Sequence, residues 1–221
     1  MNLIQSSIGR KILMALSGFF LMFFLLQHLT INFLSVISSD LFNSVSHFMG
    51  TNFLIQFILQ PLLLFGFIFH LIMGIYLEIQ NNRSRPKSYF KEKNRFNSAW
   101  TSRNMIITGI MILLFLGLHF YDFWVPEINY KYVLNLPEDP NRYYIELTHK
   151  FDNFYRVAIY CLSFVFLSLH LLHGFKSSFQ SIGMNKKSRN SIIEKSTFIY
   201  SIIVPAGFIF IAIFHYLKST V

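Results

Sequence analysis

The chain has little charge and almost no cysteine. Only 13% of its 221 residues are Asp, Glu, Lys or Arg, against 53% hydrophobic residues, and the mean hydropathy is +0.46. A soluble domain carries about a quarter charged residues, so the composition excludes an ordinary water-facing fold. The single cysteine, Cys161, excludes an intrachain disulfide and any cysteine-based metal site. It sits among Ile, Leu and Phe and reads as a small buried side chain. Acids number 10 against 19 bases, yet the bases interrupt apolar stretches and form no separate arm, which argues against nucleic acid as a partner.

What the sequence does have is long apolar runs, with Phe alone supplying 27 residues. Five runs, at 12–34, 53–79, 105–125, 154–175 and 198–217, are each long enough to cross a hydrocarbon layer of about 30 Å at about 1.5 Å per residue. The expected fold is an all-α integral membrane protein of five transmembrane helices, with residues 1–221 as one membrane-embedded domain. Helices satisfy their backbone polar groups inside lipid, and Pro61 and Pro205, within the second and fifth runs, predict kinks and not breaks. The first run follows Arg10 and Lys11, is too long for a signal-peptide core and lacks a small-residue cleavage site. It is expected to stay in the mature chain.

Sorting Lys and Arg by the loops between runs gives 14 on the N-terminal side, including Arg10, Lys11, Arg83, Arg85, Lys87, Arg103 and Lys176, against 5 on the other. The N-terminus is therefore expected in the cytoplasm and the C-terminus outside. Topology and attraction to anionic lipid account for most of these bases.

Four histidines lie one to a run: His28, His70, His119 and His170. A single histidine at lipid depth is an ordinary hydrogen-bonded residue, but four distributed singly over consecutive helices point to a site, because polar groups there are costly. His28 lies 17 residues past Lys11 and His119 lies 16 past Arg103, roughly 25 Å from the inner charge line. His70 precedes Glu78 by 8 residues and His170 precedes Lys176 by 6, roughly 9 to 12 Å from the same side. An outer and an inner pair at two depths suit two stacked haems, each held by two imidazoles, within a bundle of the first four helices. Gly74 and Gly174 each follow an inner histidine by four residues, which brings a glycine onto the ligand's face; close helix contact explains either glycine alone nearly as well, but the recurrence at one offset favours room for a haem. Zinc or non-haem iron would call for ligands converging at one depth with a carboxylate, and no buried acid is expected beside these residues. Haem with both axial positions filled moves electrons and binds no oxygen. His47 and His149 read as outer-loop residues, His215 as near the outer end of the last helix, and His173 as the rival to His170.

Taken in order, Ser6-Ser7-Ile8-Gly9-Arg10-Lys11, the Gln27-His28-Leu29-Thr30-Ile31-Asn32 stretch, Phe42-Asn43-Ser44 to His47-Phe48-Met49, Phe69-His70 to Gly74-Ile75-Tyr76 and His170-Leu171-Leu172-His173-Gly174-Phe175 make the chain similar, over its whole length, to the single-chain di-haem cytochrome b subunits of succinate:menaquinone oxidoreductases and quinol:fumarate reductases. The resemblance implies two haem b groups ligated by helices one with three and two with four, with His170 as ligand and His173 as a polar neighbour, for instance to a propionate. It implies a menaquinone site near the outer haem, for which Asn32 and His47 are the candidate contacts. It also implies flavoprotein and iron–sulfur subunits on the cytoplasmic face of a bacterial cytoplasmic membrane, since this chain has neither a flavin-binding glycine motif nor a cysteine cluster. Succinate chemistry would lie on those partners. With Glu78 and Asp122 read as helix-end residues, a transmembrane proton route along buried acids is not expected. A haem b subunit of a formate dehydrogenase or hydrogenase, and a haem-free transporter, remain the alternatives.

Overall fold

The computed structural model describes residues 6–84, 104–184 and 187–220, and all regular structure among them is helical. The chain runs through α1 (Ser7–Ile37), α2 (Ser39–Thr51), α3 (Gln60–Ser84), α4 (Met105–His119), a single turn α5 (Val125–Ile128), α6 (Arg142–Lys150), α7 (Phe154–Ser181) and α8 (Lys187–Ser219). Five stretches are long and apolar enough to cross a membrane: Ser7–Ile37, Ile55–Arg83, Met105–Val133, Phe154–Ser181 and Ser191–Ser219. They overlie the five expected runs and each ends beyond its expected end, while the second starts two residues later than expected. Of the bases expected on the cytoplasmic side, Arg85, Lys87, Lys91, Lys93, Arg95, Arg103 and Lys186 lie outside the described residues.

Local chemistry explains where the helices start and bend. Ser6 Oγ accepts from the Gly9 amide at 2.9 Å, Ser38 Oγ from Leu41 at 3.3 Å, and Asn153 Oδ1 from Arg156 at 3.1 Å, each satisfying a donor that a helix start leaves unpaired. Pro61 does not break the second span. A π turn at Ile55–Leu59 precedes it, and the same order recurs at Phe120–Trp124 before Pro126. Proline lacks an N–H and crowds the carbonyl four residues back, and a widened turn there absorbs both effects while the helix continues. A third π turn, Asn129–Val133, carries the third span beyond the expected end at 125. Pro205 lies inside α8, which also runs on through it.

The helices close into a ring. α1 packs on α3 and α7, α4 packs on α7 and touches α3, and α8 lies outside the ring along α7 and α1. Close approaches are built on small residues: a Cβ at Gly66 would stand 2.7 Å from the Phe20 ring, and one at Gly207 would stand 2.9 Å from Leu29. The best-buried apolar cluster, including Phe42, Phe151, Tyr160, Phe164 and Phe208, gathers at the outer half, where α2 and α6 cap α7 and α8. The segments expected as outer loops around His47 and His149 are these two amphipathic helices. Buried Asn43 ties them together, donating to Asn141 O at 3.1 Å and accepting from the Tyr144 amide at 2.7 Å. Outward-facing side chains such as Phe23 and Phe65 are 71% and 66% exposed, a cost in water that hydrocarbon removes.

Candidate functional site

The four interior histidines fall on the two diagonals of the ring. His28 on α1 and His119 on α4 face each other with ring centroids 5.8 Å apart and planes at 89°. Metal–imidazole bonds are about 2 Å long, so two imidazoles on opposite sides of one metal have ring centres roughly 6 Å apart. Phe24 and Phe208 flank His28 at 5.4 and 5.8 Å, and Phe115 and Phe123 flank His119 at 5.8 and 5.2 Å. The surroundings are apolar. His119 Nδ1 is buried without a hydrogen-bond partner.

His70 on α3 and His170 on α7 stand on the other diagonal of the ring, and His173 follows His170 on α7. Both Nδ1 atoms of this inner pair are engaged: His70 with Ser17 Oγ at 3.0 Å and His170 with Thr108 Oγ1 at 3.2 Å. Gly18 and Gly109 lie beside the inner rings, where a Cβ would stand 3.6 Å from His70 Cε1 and 3.7 Å from His170 Cε1. Gly74 and Gly174, singled out from the sequence, instead face the Met14 and Met105 methyl groups at 3.5 Å. Helix packing therefore accounts for that pair.

Asn32, one turn beyond His28, donates to the His28 carbonyl at 2.8 Å and lies 3.4 Å from its Nε2. His47 belongs to a different neighbourhood, a cavity of about 240 Å³ at the outer end shared with Gln56, Tyr130, Arg142 and Tyr143. No contact joins the two among the described residues. His47 Nε2 lies 3.8 Å from Glu138, and its Nδ1 is buried without a partner. Arg142 is sandwiched between the rings of Tyr130 at 4.1 Å and Tyr143 at 4.4 Å, and it binds Glu127 and, at 2.8 Å, Glu146. Burial alone would lower the Arg142 guanidinium, but these carboxylates outweigh it and hold it above its ordinary value. The Tyr143 phenol is pushed up by burial and then by the Glu127 charge.

One acid departs from the reading of the sequence. Asp122, expected at a helix end, has a fully buried side chain, because the span continues past it. Tyr160 donates to Asp122 Oδ2 at 2.8 Å and Arg156 binds Oδ1, while the Tyr160 ring lies 6.4 Å from that of His119. A buried carboxylate thus does accompany the outer histidines, neutralised by its partners. Among the described residues no cluster of three or more His, Cys, Asp or Glu is arranged to hold a bare metal ion.

Three comparisons bear on identity. No family model matches the chain, and no solved structure matches it. Over 124 residues the chain is 26% identical to the succinate dehydrogenase cytochrome b558 subunit of Bacillus subtilis, a match covering 53% of this chain and 57% of that protein. The chain thus spans about half the length of this curated relative.

Proposed function

We propose that the chain is the membrane anchor and electron-carrying cytochrome b subunit of a succinate dehydrogenase or fumarate reductase, with two b haems held by His28 and His119 and by His70 and His170. The observation that carries the reading is the pairing of four interior imidazoles across the two diagonals of one ring of helices. The likeness to the Bacillus subtilis subunit supports the same assignment. The donor set fits: imidazole nitrogens, apolar rings around the outer pair, and glycine against the edges of the inner rings. Bound there, haem supplies a reversible one-electron iron couple. The chain's part would be to hold each haem iron with two imidazoles, which would disfavour oxygen binding, and to exclude water with the phenylalanines.

In this reading the N-terminus is cytoplasmic, and flavoprotein and iron–sulfur subunits dock on that face. The two sites would then carry electrons between those subunits and menaquinone, in the direction set by succinate oxidation or fumarate reduction. Asn32 beside His28 and His47 in the outer cavity are proposed as separate quinone contacts. The pyridine haemochrome assay on purified protein is expected to give two haem b per chain. One or none would defeat the assignment, and failure of succinate to reduce the haems in native membranes would favour another dehydrogenase.

The ligand role of His170 over His173 has its own test. His170 is steadied by Thr108, whereas His173, three residues on, is offset by roughly 60° around the helix and about 4.5 Å along it. His173→Asn is expected to keep both haems with a bis-imidazole spectrum, and His170→Asn to lose the inner one. The opposite pattern would move the ligand to His173 and leave His170 as the polar neighbour of a propionate.

A further inference from the structure

Ser17 Oγ donates to Met14 O at 2.9 Å and Thr108 Oγ1 donates to Met105 O, also at 2.9 Å. A hydroxyl has one hydrogen, so each presents only lone pairs to the histidine beside it. The Nδ1 atoms of His70 and His170, at 3.0 and 3.2 Å, must then carry the protons. Each neutral ring is left with its lone pair on Nε2. Such back-bonded hydroxyls are common in lipid-embedded helices, and one alone would mean little.

Here the device occurs twice in register. Met14, Ser17, Gly18 and His28 recur 91 residues later as Met105, Thr108, Gly109 and His119, and His70 and Gly74 recur 100 residues later as His170 and Gly174. The contacts recur with them. Each hydroxyl meets an inner histidine, the glycine after it lies against that ring's Cε1, and each methionine methyl meets the glycine four residues past the histidine. Among the described residues the outer pair shows no such hydroxyl: His119 Nδ1 is buried unpartnered, and the polar neighbour of His28 is Asn32, at Nε2.

We infer that Ser17 and Thr108 are positioning residues that fix the tautomer of His70 and His170, aim both Nε2 atoms at the same iron and tune its potential, an inference that rests on the haem reading above. An acceptor on Nδ1–H makes the imidazole a stronger donor, which favours the oxidised metal and lowers its potential. Removing the acceptor raises it.

The test is optical redox titration of the purified protein with its haems, comparing wild type with Ser17→Ala, Thr108→Val, Ser17→Thr and Thr108→Ser, and using His70→Ala to mark which haem is the inner one. Ser17→Ala and Thr108→Val are expected each to retain both haems and shift the inner reduction equilibrium about tenfold toward the reduced form, about 59 mV for one electron, with the outer haem unmoved. The hydroxyl-exchanging variants are expected to titrate as wild type. An inner potential unchanged in both hydroxyl-less variants, or a shift of the outer haem instead, overturns the inference. If Ser17→Ala loses the inner haem, Ser17→Thr decides: retention at the wild-type potential supports positioning, and loss overturns it. Absence of haem from the wild-type protein would overturn the underlying reading before any variant is made.

Discussion

His28→Ala and His119→Ala are each expected to abolish one and the same haem, reducing the content from two to one per chain, while His70→Ala and His170→Ala each abolish the other. The geometry makes this a sharp expectation. Neighbouring helices of the ring carry histidines of different pairs, so under the proposed assignment α1 and α3 would serve different haems although they pack directly together. The outer imidazoles face one another at 5.8 Å across the ring. Losing one would leave the haem held from one helix only, in a pocket that no longer closes on it. Redox titration of the four variants is the measurement. The same haem missing from the His28 and His70 proteins would mean pairing between adjacent helices and would sink the two-diagonal assignment.

Asp122→Leu is expected to destabilise the protein by about 3–5 kcal/mol, the usual cost of removing one partner of a buried charged pair. The substitution leaves the Tyr160 hydroxyl, on a residue only 2% exposed, without its acceptor, and leaves Arg156 uncompensated beside the core. Asp122→Asn, which keeps an acceptor for Tyr160, should cost less. Combining Asp122→Leu with Arg156→Met should recover part of the loss, since the unpaired charge goes too. Thermal unfolding in detergent, followed through helical circular dichroism, reads all three; a loss under about 1 kcal/mol for Asp122→Leu would show that water or lipid headgroups already screen the pair.

The spans, and one histidine on each of four of them, were legible because lipid imposes a crude rule, that a long apolar run must be a helix and a polar group within it needs a reason. The ends were not. The third span runs on to Val133 through two π turns, which leave no mark in hydropathy, and that extension is what buries Asp122. α2 and α6 read as loops because a surface helix of 13 or 9 residues alternates polar and apolar groups much as a structured loop does. Ser17 and Thr108 went unnoticed for a different reason. Hydroxyls in apolar helices usually serve their own backbone, and only the shared spacing from Met14 to His28 and from Met105 to His119 marked these two.

The position of α8 bears on how the protein is made. Every candidate ligand lies on α1, α3, α4 or α7, all of which leave the ribosome before α8, the helix that lies over the flank where α1 meets α7. When α8 arrives it fastens to α1 at two levels: Tyr200 donates to Met22 O at 2.5 Å, and His215 meets Ser35 at 2.8 Å. The helix that covers this flank therefore follows every candidate ligand in chain order.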